Sequence, residues 1–269
     1  MAKYKKKRAR ELKHDRFRDT TILLADRLAE RVAGRGRQIL YGLGLVVVLA
    51  ATAYGVSRWR NKHAEEAEQA MGRAIAIARA EISTTPNTTS KDPVFTTEQE
   101  RAQRTIDEFQ KVAAKYGEPY RTQARYFIAT NLLVTDRPKG LSELQSLASG
   151  SGEVAVLSKF ASAQTKEADS NYDEAAALYS ELAKMNSNVV TSETANLRLA
   201  AVYDKQGKKR EAADLLFNIV SQARQAKDVE GKPITESSAA REATQELLKL
   251  DPARHAQLPP APVPTGLSF

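Results

Sequence analysis

The chain has 269 residues, of which 28% are charged, 42% hydrophobic and only 6% aromatic. So few aromatic residues argue against an all-β fold, and the absence of cysteine excludes disulfides, thiolate metal sites, iron–sulfur clusters and cysteine nucleophiles. The net charge of +8 is local: residues 1–37 hold 13 Lys/Arg against 5 Asp/Glu, so the remaining 232 residues are neutral.

Residues 1–37 therefore form a basic arm. Phe17, Thr21, Leu24, Leu28 and Val32 recur every three or four residues, which is one stripe of a helix, and Arg27, Arg31 and Arg35 lie largely off it. Two readings stay open. In one the arm is an amphipathic helix on an anionic membrane surface, with Lys5, Lys6, Lys7, Arg8, Arg27 and Arg31 meeting headgroups. In the other it is a solubilising, orienting tail. Nucleic acid is a poorer partner, since Tyr4 is the only aromatic residue among the first basic residues.

From Gln38 to Ser57 no residue is charged. Twenty residues at the helical rise span roughly 30 Å, the thickness of a bilayer's hydrocarbon core. Arg35 and Arg37 close one end, Arg58, Arg60 and Lys62 the other, and Tyr41 and Trp59 sit at the two interfaces. The expectation is a transmembrane helix over 38–57 with the arm cytoplasmic and the rest outside. A cleaved signal is the alternative, because Ala51-Thr52-Ala53 has the small-x-small form, although the preceding basic region is far longer than an ordinary one. Ala51 and Gly55 are spaced to let two such helices approach, so self-association is open.

The pattern predicts a helix over 59–83, with Ala67, Ala70, Met71, Ala74, Ile75 and Ala78 on one face. A polar insert with two prolines, 84–97, interrupts it. Helical segments then alternate with short breaks to about Leu250. Ala124–Leu132 aligns without gaps with Ala195–Tyr203, 71 residues on, and Asn171–Tyr179 with Lys208–Leu216, 37 residues on. Leu141 to Ala175 is a step of 34, the tetratricopeptide period. In the best copy, Glu193–Gln225, Leu199, Ala200 and Tyr203 fill the first helix, Gly207 makes the turn, and Ala212 allows the second helix to cross closely. Glu236–Leu250 predicts a last amphipathic helix, and residues 251–269 a proline-rich, disordered tail. The fold class expected is all-α: one transmembrane helix, then a right-handed tetratricopeptide-like stack of antiparallel helix pairs over 58–250.

No catalytic motif is present. His14, His63 and His255 fall in the arm, beside the span and in the tail, so neither a metal site nor a cofactor is expected, and the chain reads as a non-enzyme. Its carboxylates are spread as helix-surface charges.

The Arg37–Trp59 anchor and the Ala124–Leu132, Tyr172–Leu182 and Leu199–Ile219 blocks together resemble the bacterial ancillary Sec-translocon subunit family. That resemblance implies a single-span inner-membrane protein whose periplasmic repeats meet the translocon and periplasmic chaperones. A scaffold for envelope assembly or cell division, and a tethered regulator whose arm binds a cytoplasmic partner, stay open beside it. Registering the repeats places Leu197, Ala201, Asp204 and Lys205, then Phe160, Gln164 and Glu167, then Tyr126 and Thr130 along one groove. Tyr126, Phe160 and Leu197 are the expected anchors for a partner segment. The competing reading is that the same side chains pack between neighbouring helices.

Overall fold

The structure is a computed structural model that describes residues 62–83, 93–185 and 187–261, with isolated positions 50, 52, 54 and 58. The basic arm and nearly all of the expected span lie outside the described residues. Among the described residues no helix is long and apolar enough to cross a membrane. The chain divides into Met1–Glu66 and Ala67–Phe269, and the second unit holds the helical stack.

Ten helices carry the described residues: α1 (62–78), α2 (Glu98–Lys115), α3 (Tyr120–Thr135), α4 (Arg137–Ala148), α5 (Glu153–Ala168), α6 (Tyr172–Lys184), α7 (Ser192–Lys205), α8 (Lys209–Gln225), α9 (Ser238–Leu250) and the single turn α10 (Pro252–His255). From α2 onward each packs chiefly on its neighbours in the chain, and α3 also touches α5, as α7 touches α9; Ala67, Met71 and Ala74 of α1 pack with Phe109 and Val112 of α2. That is a tetratricopeptide-like stack of hairpins: α3/α4, α5/α6 and α7/α8, preceded by α1/α2 and closed by α9. Capping starts several helices where the sequence supplies a short polar side chain. Thr97, Asp136, Thr191 and Ser237 each accept a backbone N–H three residues on.

Small residues set the spacing of the stack. Ala124, Ser158 and Ala195 hold equivalent places on α3, α5 and α7, and all three are fully buried. Gly140, Ala175 and Ala212 each stand at the fourth residue of α4, α6 and α8. This corrects one step of the register read from sequence: the counterpart of Ala175 is Gly140, not Leu141, so the first step is 35 rather than 34, while the second stays at 37. The physical reason lies at α4. A Cβ built on Gly140 would come within 2.7 Å of the Leu133 nitrogen and 2.9 Å of the Ala129 carbonyl oxygen, so backbone meets backbone there. Larger residues fill the space on either side. Leu144 and Leu147 pack with Ala129 and Ala161. Tyr179 and Leu182 pack with Val156, Ala195 and Leu199. Leu216, Ile219 and Val220 pack with Leu197 and Leu247.

Two boundaries differ from expectation. The first helix stops at residue 78 rather than continuing to 83. Ile82 instead forms an isolated parallel bridge to Phe95. The Ser83 N–H donates to the Phe95 carbonyl at 2.9 Å, and the Phe95 N–H to the Glu81 carbonyl at 3.0 Å. The two ends of the insert are thus tied together; residues 84–92 lie outside the described set.

The second difference is the tail. Residues 252–255 form a helical turn, and the chain then follows α8. Arg254 pairs with Asp214 and lies over the Phe217 ring. Leu258 packs on the last core cluster, and the Pro259 carbonyl accepts from Arg224 at 2.6 Å. Arg224 also pairs with Glu236 at 2.9 Å, with both side chains largely buried. Residues 251–261 are therefore a strap on the last hairpin rather than a free tail; residues 262–269 lie outside the described set. Because this strap covers Phe217 and sets Leu258 against the core, replacing Arg254 by Ala should lower stability by about 1 kcal/mol, roughly the value of a part-buried pair plus a ring contact. A loss no larger than that of a surface Lys→Ala control, measured by urea denaturation, would count against the strap.

Candidate protein-binding groove

The first helices α3, α5 and α7 carry the residues singled out from sequence, and the structure sorts them into two kinds. Tyr126 and Phe160 are partly buried. Tyr126 sits edge-on to Phe127 at 5.7 Å and packs on the Leu144 cluster, and burial pushes its phenol above the usual tyrosine range. Phe160 sits edge-on to the buried Tyr179 at 5.8 Å. Thr130 turns its hydroxyl back to donate to the Phe127 carbonyl at 3.0 Å. Leu197 is only 6% exposed and belongs to the core around α8 and α9. These four are tied into packing or into their own helix. Gln164, Ala201, Asp204 and Lys205 are exposed.

Two of the singled-out residues meet across hairpins. Glu167 of α5 accepts from Lys205 of α7 at 2.7 Å and from the Tyr179 hydroxyl of α6 at 3.0 Å. Three helices are joined at one carboxylate. Burial, then the neighbouring Glu167 charge, raises the Tyr179 pKa far beyond the ordinary phenol, so this hydroxyl remains a donor at any physiological pH. At the residue after Lys205, Gln206 donates to Asp173 at 2.8 Å, fixing the end of α7 to the start of α6. Gly207, at φ +77, makes the turn into α8 as the sequence indicates.

Beyond that network a cleft of about 190 Å³ opens between α7, α8 and α9. All four α7 residues picked from sequence line it: Leu197, Ala201, Asp204 and Lys205. Its floor is completed by Ala200, Leu216 and Leu250, and its walls by Arg198, Glu242 and Glu246. The contribution of α9 is what sequence reasoning missed. Its residues fall outside the self-alignment, so no repeat register assigned them a face.

Two other depressions differ in character. One of about 350 Å³ lies between α4, α5 and α6, where Lys159 and Lys166 are each closed by a glutamate, Glu181 and Glu174, at 2.6 Å. Another of about 600 Å³ on α2 is shallow and lined largely by polar helix-surface residues such as Gln99, Gln103 and Asp107. Among the described residues no group of His, Asp and Glu is placed to hold a metal ion.

No protein-family model matches the chain, and no curated protein matches it. Among solved structures, the chain is similar to one of nearly identical TPR-like repeats from Podospora anserina, described as a kinesin light chain. The identity is 16%, the match covers 60% of this chain and 82% of that one, and the TM-score is 0.45.

Proposed function

We propose that the protein is a non-catalytic interaction scaffold whose stacked hairpins hold a segment of another protein in the α7–α9 cleft. The observation that supports this most directly is the cleft itself. An apolar floor of Leu197, Ala200, Leu216 and Leu250 lies beneath charged walls, an arrangement suited to anchoring one large side chain and orienting its neighbours. The test is a pull-down of the full chain in mild detergent, comparing wild type with Ala201→Arg. Ala201 is exposed at the cleft, so the substitution fills it from the solvent side without opening the core. Unchanged circular dichroism and loss of the captured partner are expected. A partner retained by Ala201→Arg would place binding elsewhere.

We further propose that the scaffold is anchored in the bacterial inner membrane through residues 38–57, with the basic arm cytoplasmic and the repeats periplasmic, in a role accessory to protein secretion. The uncharged Gln38–Ser57 run and the basic arm ahead of it support this reading. Protease added to spheroplasts should then digest the repeats and spare the arm. A protected repeat unit would reverse the orientation, and a mature N-terminus at Tyr54 would replace the anchor with a cleaved signal.

A further inference from the structure

The walls of the α7–α9 cleft say what kind of segment it takes. Glu242 and Glu246 stand one turn apart on α9 and both face the cleft. Like charges at that spacing repel one another along a helix. Asp204 faces them from α7. Lys249 partly offsets Glu246, at 2.7 Å, but both ends of that pair are well exposed. Among the described residues Asp204 and Glu242 have no side-chain partner.

The cations on the α7 wall do not balance this. Lys205 is engaged by Glu167 on the neighbouring hairpin and lies over the Tyr172 ring. Arg198 lines the same wall and is the cation left to face the carboxylates. The cleft therefore presents three carboxylates around an apolar floor against Arg198 and a Lys205 already paired with Glu167, which leaves acidic charge in excess. About 190 Å³ is room for one large side chain.

We propose that the occupant is a basic amphipathic segment: one large apolar side chain seated on Leu197, Leu216 and Leu250, with Lys or Arg a turn to either side meeting Glu242, Glu246 and Asp204. This rests on the scaffold reading and adds to it the chemistry of the partner. Solvent-exposed pairs of this kind contribute little each, but several together steer association and make it salt-dependent.

The experiment uses the full chain in detergent and two labelled helix-forming peptides. One carries a central Leu flanked by lysines at helical spacing, and its twin carries glutamates in their place. Fluorescence anisotropy should show binding of the lysine peptide only, weakening by about tenfold or more as salt rises from low to high. The double variant Glu242→Lys/Glu246→Lys should lose the lysine peptide by a similar factor while keeping its circular dichroism, and Ala201→Arg should abolish binding. Failure of the lysine peptide to bind, equal binding of the glutamate twin, or insensitivity to the charge reversal each overturns the proposal. The scaffold reading is judged separately, by the captured partner. If that partner is lost with Ala201→Arg but retained by Glu242→Lys/Glu246→Lys, the cleft is the site and the basic character assigned to its occupant is wrong.

Discussion

Gly140→Val is expected to cost about 4 kcal/mol of stability, and Gly140→Ala about 2 kcal/mol, although alanine is the better helix former by about 1 kcal/mol. The sign follows from what a Cβ meets. On α4 the neighbours of Gly140 are the backbone of α3 at Leu133 and Ala129, at 2.7 and 2.9 Å. A flexible side chain could move away, whereas a helix backbone moves only if the whole hairpin opens, and that unseats Leu144 and Leu147 from Ala129 and Ala161. Gly72 is the internal control. It lies on the exposed face of α1 with nothing within 4 Å of an added Cβ, so Gly72→Ala should be neutral or stabilising. Urea denaturation followed by far-ultraviolet circular dichroism separates the two. Equal stability of Gly140→Ala and wild type would mean that α3 and α4 do not approach as closely as described.

Tyr179→Ala should cost about 4 kcal/mol, the usual range for truncating a fully buried aromatic. The ring is completely enclosed, touches Phe160, and fills the space between Val156, Leu182, Ala195 and Leu199. Tyr179→Phe isolates the hydroxyl. It keeps the ring and removes one donor from Glu167, which still accepts from Lys205, so a loss of about 1 kcal/mol is expected. Glu167→Ala should cost more than Tyr179→Phe, since it leaves the enclosed hydroxyl with no acceptor. A double-mutant cycle between Tyr179→Phe and Glu167→Ala measures the link. Strict additivity would show that α5 and α6 are not coupled through that carboxylate.

Much of the repeat architecture is legible in the sequence because its signals are local. Ala124 and Ala195, Ala175 and Ala212, and the turn at Gly207 are small residues among large ones at helical spacing, and each does in the structure what its size suggests. Gly140 is the instructive exception. A glycine within a helical pattern reads as a weak point, whereas its use here depends on how near another helix comes, which spacing alone does not encode. Loops of unequal length between hairpins also hid the step of 35. The end of α1 was misplaced because Ile82 continues the apolar pattern, and only its distant partner Phe95 shows that it serves a bridge instead. The strap was misread for a similar reason. Prolines signal an extended chain, but Arg254, Leu258 and the Pro259 carbonyl find partners on α8 and in its core cluster.

For the candidate groove, the sequence located the α7 wall and not the α9 wall. Repeat register transfers a face from one copy to the next, and α9 has no aligned copy to receive it from. Tyr126 and Phe160 show the reverse limitation. A large side chain on the first helix of a hairpin is equally suited to a partner or to a neighbouring helix, and only the rings around it, Phe127 and Tyr179, show where each one packs.

The clasp between Ile82 and Phe95 has a consequence for how this chain tolerates change. Because two backbone hydrogen bonds fix the points where the insert leaves and rejoins the stack, the first hairpin is indifferent to how much sequence lies between them. Doubling a closed loop adds only about 0.6 kcal/mol of entropic cost. That stretch is therefore the natural place for gene-level insertions to accumulate, and for an epitope or a fluorescent domain to be grafted while α1 and α2 keep their register.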